Sequence, residues 1–160
     1  LNGLALAAVQ QRDVAQADAL FNQARQLWQA LGDHGAISVQ FNIVGYGFEM
    51  LCDFEHAHLM YCEVPELRRD LNNKRHIVES LESFAGLAAA QSHFHRAVRL
   101  LGSAETIRKS FKFNTPHASR VDQILAGIHS HMDLLALADA KAEGQHMTIE
   151  EAIEYALSNA

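Results

Sequence analysis

Ala97-Val98-Arg99-Leu100-Leu101-Gly102-Ser103-Ala104-Glu105-Thr106-Ile107 decides the fold, because its apolar skeleton occurs twice more at forty-residue intervals. Ala97 matches Ala57 and Ala17, and Leu101 matches Tyr61 and Phe21. Ala104 matches Val64 and Ala24, and Ile107 matches Leu67 and Leu27. Upstream, Ala85 matches Gly45 and Ala5, while Phe84 matches Val44 and Leu4. A repeat of this length marks an array of small units, none of which buries its own apolar face alone. The pattern points to a binding surface rather than a catalytic pocket.

Apolar residues recur at i, i+3, i+4 and i+7, alternating runs are absent, and only two prolines occur. The chain therefore reads as helical throughout, each repeat being a helical hairpin with an A and a B helix. The first A helix spans about 1–11 and its B helix about 14–31, stopped by Gly32-Asp33. The second pair spans about 35–51 and 54–71, the third about 75–91 and 94–111. Asp13, Asp53 and His93 occupy the turn between the two helices, and a short side-chain acceptor there caps the next helix. His93 is the weaker cap.

The repeating alanines keep antiparallel helices near the low end of the ~8–10 Å axis separation. Gly45 and Ala85 face the same crossing. Gly47 has no role in the pattern, so softness is expected around Gly45-Tyr46-Gly47. Pro65 falls inside the second B helix, where its ring clashes with the preceding turn; a kink or a break is expected. The tail differs from the repeats. A helix begins at Thr115-Pro116 and runs to Met132, and a shorter one reaches Ala142, stopped by Gly144. Thr148-Ile149-Glu150-Glu151 is a capping box opening a last helix through Leu157. The reading is one helical-repeat domain over 1–160: repeats at about 1–33, 34–73 and 74–113, and a capping tail over 114–160.

The small-large-small pattern resembles the tetratricopeptide repeat in its long, forty-residue form, the usual period being about 34. Ala97 to Glu105, and Ala140-Lys141-Ala142-Glu143-Gly144-Gln145-His146-Met147-Thr148-Ile149-Glu150-Glu151-Ala152-Ile153-Glu154-Tyr155-Ala156-Leu157, are similar to the C-terminal repeat region of bacterial LuxR-type and ATPase-type transcriptional regulators. The resemblance covers most of the chain. It implies an all-α fold, a tetratricopeptide-like α-α superhelix of three hairpins plus C-terminal capping helices. Pro65 departs from the unbroken B helix of such repeats. No GxxxxGK[ST] phosphate loop and no helix-turn-helix signature is present, so the ATPase and DNA-binding parts of such regulators are not encoded here.

Charge narrows the partners. The net charge is -6 and no Lys/Arg cluster stands out, which disfavours nucleic acid and anionic membranes. No apolar run approaches the ~20 residues of a membrane span. Leu1 to Val9 lacks a basic leader and runs straight into the repeat, so no signal peptide is read. With a repeat starting at Leu1, a segment of a longer protein is expected. Cys52 and Cys62 form no disulfide framework, which makes a cytoplasmic setting the expectation.

The resemblance implies that A-helix residues line a concave groove: Asn2, Leu6, Val9, Gln10, Val39, Asn42, Tyr46, Glu49, Met50, Glu79 and Glu82. This set is apolar to acidic and holds no lysine or arginine, so it is unlike a clamp for acidic tails. A basic or amphipathic partner segment is expected, anchored by Tyr46 and Met50. The partner is another protein, or another domain of the same parent chain. Pairing of two copies through the start of the first A helix (Leu1, Leu4, Ala8) is a further possibility. The expected function is a non-catalytic interaction module of a signalling or transcription regulator. The alternative is a small-molecule effector sensor, which would need an enclosed cavity near Asn42, Tyr46 and Glu82. No catalytic motif, cofactor or metal site is read. His56/His58, His93/His95 and His129/His131 are spaced i, i+2, which places them about 200° apart on a helix, too far to share one ion.

Overall fold

Three tight turns, forty residues apart, are built the same way. Arg12, Cys52 and Ser92 adopt left-handed backbone angles, with φ of 59, 59 and 64°. Their amides bond back to Val9, Glu49 and Ala89, and the following amides to Ala8, Phe48 and Ala88. This double closure satisfies the last carbonyls of a helix and reverses the chain. Asp13 then accepts from the Gln16 amide at 3.0 Å and Asp53 from that of His56 at 3.3 Å, whereas His93 makes no capping bond. The weaker third cap is thus visible in the geometry.

The computed structural model describes residues 2–32, 34–64, 73–112 and 118–158. Among them the chain is all-α, with no strand. The elements are α1 (Asn2–Gln10), α2 (Val14–Leu31), α3 (His34–Met50), α4 (Phe54–Cys62), α5 (Lys74–Ala90), α6 (Phe94–Phe111), α7 (Ala118–Ile128), α8 (Leu134–Gln145) and α9 (Ile149–Leu157). Gly32 closes α2 at φ 68°, as its position in the sequence predicts. The second B helix is shorter than read. It stops at Cys62, before Val64, which as the residue preceding proline is biased away from helix. The expected break at Pro65 itself, and the helix start at Thr115-Pro116, lie outside the described residues. α7 ends at Ile128, not Met132. The Asp133 carboxylate caps α8 by accepting from the Ala136 amide at 2.8 Å, so the chain must leave one helix before it.

The chain folds as two compact units, Leu1–Asp70 and Leu71–Ala160. The reading above runs one repeat domain through both, and the division falls close to its boundary between the second and third repeats. In the first unit α3 packs against α1, α2 and α4. The rings of Phe21 and Phe41 meet edge to face at 4.6 Å. Gly45 lies under the Tyr61 ring, where a Cβ would come within 2.6 Å of Cδ1. Gly47 does have a packing role: a Cβ there would meet Leu6 Cδ1 at 2.9 Å, and α3 continues unbroken through it. Both glycines let a neighbouring side chain reach the α3 backbone.

The second unit is built around α5, buried at every residue from Ser80 to Ala88, with α6, α7 and α9 against it. Gly144 does not stop α8 but lies inside it. A Cβ at Gly144 would collide with the Arg99 carbonyl of α6, and one at Gly102 would lie 2.5 Å from the Lys141 carbonyl of α8. The two glycines are reciprocal, each admitting the other helix's backbone. Ser103 Oγ donates to the Gly144 carbonyl at 2.7 Å across this crossing. The capping box expected at Thr148 is formed, with Glu151 N to Thr148 Oγ1 at 3.1 Å and Thr148 N to Glu151 Oε2 at 2.8 Å. At its other end α9 is held by Arg96, which donates to the carbonyls of Tyr155 (2.8 Å), Ala156 (3.0 Å) and Ser158 (2.8 Å). A cation there complements the negative end of the helix.

Glu105 pairs with Lys109 one turn along its own helix, α6, at 2.7 Å and with Lys141 of α8 at 2.8 Å, and the second pair joins the two helices. Hydrogen bonds from Lys109 first, then Lys141, lower its pKa from 4.5 to about 2. A lowered carboxylate pKa contributes stability above the unfolded value, and that stability is lost as pH falls through the folded one. Glu105→Gln is therefore expected to cost on the order of 1 kcal/mol at pH 7, after discounting for solvent screening. The difference from wild type should vanish between pH 4.5 and about 2 in urea titrations. A difference that persists at pH 2 would remove the ion pairs as its cause.

Candidate functional site

Helix α3 is apolar on two faces. Ile37, Phe41, Val44 and Phe48 follow one another at spacings of four, three and four residues, and all are buried against α1, α2 and α4. Val39, Ile43, Tyr46 and Met50 repeat the same spacing two residues on, and all four are exposed, Met50 to 66%. Steps of four, three and four keep residues on one helical stripe. Asn42 sits between Val39 and Tyr46; its Oδ1 is buried and accepts no hydrogen bond.

The stripe rests on a rigid support. Tyr61, fully buried beneath Gly45, donates its hydroxyl to Glu49 Oε2 at 2.8 Å. Phe48 stacks on the His56 ring at 5.2 Å, and His56 Nδ1 lies 2.9 Å from the Asp53 carboxylate. The outward residues thus belong to a helix whose inner face and C-terminal turn are both anchored.

The structure sorts the expected groove residues. Val39, Tyr46 and Met50 are exposed together on α3, and Gln10 is exposed on α1. Ile43, absent from the sequence-based set, belongs to the same stripe, and the four-three-four spacing was the signal for it. Leu6 is half-buried and packs toward Gly47. Val9 is fully buried, so it is a core residue of the first unit rather than a lining residue. Glu49 is half-buried and serves Tyr61. The side chain of Asn2 lies outside the described residues. Glu79 and Glu82 lie on α5 in the second unit. Glu79 is half-buried. Glu82 is 3% exposed and ion-paired with Arg108 of α6, so it faces the interior and not an open groove.

The histidines have local partners. His58 Nε2 is 3.3 Å from Cys62 Sγ, one turn along α4. His129 and His131 lie within 2.6 and 3.0 Å of the Leu125 and Gly127 carbonyls. His95 approaches Glu143 at 3.7 Å. Among the described residues no three His, Cys, Asp or Glu side chains are grouped to hold a metal ion. Cys52 and Cys62 are not joined in a disulfide. No described helix is long and apolar enough to cross a membrane.

Two clefts of about 560 and 470 Å³ flank Tyr155 on the second unit, both open to solvent. In the larger, Arg99 pairs with Glu143 at 3.3 Å and Glu151 closes the capping box. The Tyr155 ring lies 4.8 and 4.5 Å from the guanidinium carbons of Arg96 and Arg99. These groups hold α8 and α9 to α6. In comparisons with family models, curated proteins and solved structures, none matches this chain.

Proposed function

We propose that the chain is a non-catalytic protein-interaction module, a tetratricopeptide-like array that docks a partner segment on the exposed face of α3. The observation that carries this reading is the second apolar stripe, Val39-Ile43-Tyr46-Met50, on a helix already anchored through its first. A helix that is apolar all round is ordinarily enclosed, and one with an open apolar face has a partner to receive. The partner's chemistry follows from charge. Residues 1–70 contain nine acidic side chains against four arginines and no lysine, a net of -5. A basic amphipathic helix, apolar at the same spacing, complements this unit in shape and sign. In the wider reading the module serves a bacterial signalling or transcription-regulatory protein in the cytoplasm, and its partner is another protein or another domain of its parent chain. The open clefts lend less support to a small-molecule sensor, which calls for an enclosed cavity.

The test uses a fluorescent lysine-flanked helical peptide with leucines at four-three-four spacing, a glutamate-flanked counterpart and a scrambled control. Anisotropy should show binding of the lysine peptide alone. Tyr46→Ala with Met50→Ala is expected to weaken it by about 2–3 kcal/mol, roughly 100-fold, with the circular dichroism unchanged. Equal binding of all three peptides, or an unaffected double variant, would reject the assignment.

A further inference from the structure

The chain holds four methionines, and their sulfurs are not equivalent. Met50, the last residue of α3, is 66% exposed and ends the Val39-Ile43-Tyr46-Met50 stripe. Met60, Met132 and Met147 are half-buried. Met132 packs against the cluster of Ala88, Ala97, Val98, Ile128 and Ala140. The Met147 sulfur lies 3.6 Å from Ser103 Oγ, at the crossing of α6 and α8. Oxidation of a sulfur side chain follows its access to the oxidant. One thioether of the four is thus set apart, and it stands on the stripe that carries the functional reading.

A thioether is apolar, unbranched and polarizable, which suits it to meet another apolar side chain. Oxidation reverses that character. The sulfur lone pair attacks the outer oxygen of a hydroperoxide, the O–O bond breaks and an S–O bond forms. The proton of the attacked oxygen passes to the leaving one, which departs as an alcohol, or as water from hydrogen peroxide. Sulfur loses two electrons and the peroxide gains them. The product is a polar sulfoxide, a strong hydrogen-bond acceptor. An apolar partner face offers it no donor, and burying an unpaired polar group is unfavourable. The helix itself has no reason to change. Phe48 and Glu49, just before Met50, stay engaged with His56 and Tyr61.

We infer that Met50 is an oxidation switch on the docking face, and that transfer of one oxygen atom from a hydroperoxide to its sulfur releases the partner. The inference rests on the reading of α3 as that face. Cys52, exposed two residues further on, is a competing target, but its reversible oxidation products are undone by a thiol reductant, whereas a methionine sulfoxide needs its own reductases.

The test treats the 160-residue chain with graded hydrogen peroxide, removes the excess with catalase and restores the thiols with dithiothreitol. Peptide mapping by mass spectrometry should find the sulfoxide at Met50 before Met60, Met132 or Met147. Binding of the lysine-flanked leucine peptide should weaken at least about tenfold with the circular dichroism unchanged, and methionine sulfoxide reductases should restore it. A Met50→Leu chain, compared with its own untreated form, should keep its affinity through the same treatment. Oxidation of another methionine ahead of Met50, undiminished binding by the Met50 sulfoxide, or an equal loss in Met50→Leu would overturn the inference while leaving the docking reading in place. An untreated chain that does not bind the peptide would overturn the docking reading, and the switch with it.

Discussion

Gly144→Ala is expected to destabilise the second unit by about 3 kcal/mol or more, the upper end of what overpacking costs. The ordinary effect of this substitution inside a helix is the reverse, a gain of up to ~1 kcal/mol from propensity. Here the new methyl would be driven into the Arg99 carbonyl, a backbone atom that moves only if α6 moves. Separating α6 from α8 also breaks the buried Ser103–Gly144 bond and loosens the cluster of Ala97, Val98, Ile128 and Ala140. Gly127→Ala is the internal control. Gly127 lies in α7 with nothing within 4 Å of its would-be Cβ, so the propensity gain should appear undiminished. Thermal or urea unfolding of the two variants should move in opposite directions. A stabilised Gly144→Ala would mean that the two helices do not approach as described.

The second large effect is expected at Arg108. Its guanidinium bonds to Glu82 Oε1 between α5 and α6, while Glu82 Oε2 and Arg108 Nε are buried without hydrogen-bond partners. Burial pushes the Arg108 pKa down from its ordinary value, a sign that the pair is held in a poorly solvated place. Arg108→Met leaves an uncompensated carboxylate in the core of the second unit and should cost about 3–5 kcal/mol. Adding Glu82→Leu removes the orphan charge, and the double variant should return to wild-type stability or exceed it. A double variant no more stable than Arg108→Met would mean that the cost lies in packing rather than in the charge.

These two sites mark where sequence reading stops. Glu82 looks like a solvated groove residue, because glutamate on a helix seldom goes inside. Its partner is 26 residues away, on another helix. Gly144 reads as a terminator, since a glycine near a predicted helix end ordinarily is one. Only the approach of α6 gives it a different task. Val9 shows the converse error. An A-helix position assigned to a groove by resemblance is core, because α1 contributes it to the contact with Gly47 of α3.

What the sequence determined alone was local and periodic. The forty-residue spacing, the apolar periodicity and the turn residues place the helices and their hairpin turns to within a residue or two over most of the chain. These are properties of short segments: a left-handed residue, a cap and a stripe need no distant partner to be legible. The Val39-Ile43-Tyr46-Met50 stripe belongs to the same class, since its spacing is written in α3. The tertiary structure decided which stripe is covered and which is open. It also decided which glycine is a crossing and which carboxylate is paired. Each of these depends on the surface another helix brings to within a few ångströms, and that surface is set by packing between segments far apart in the chain.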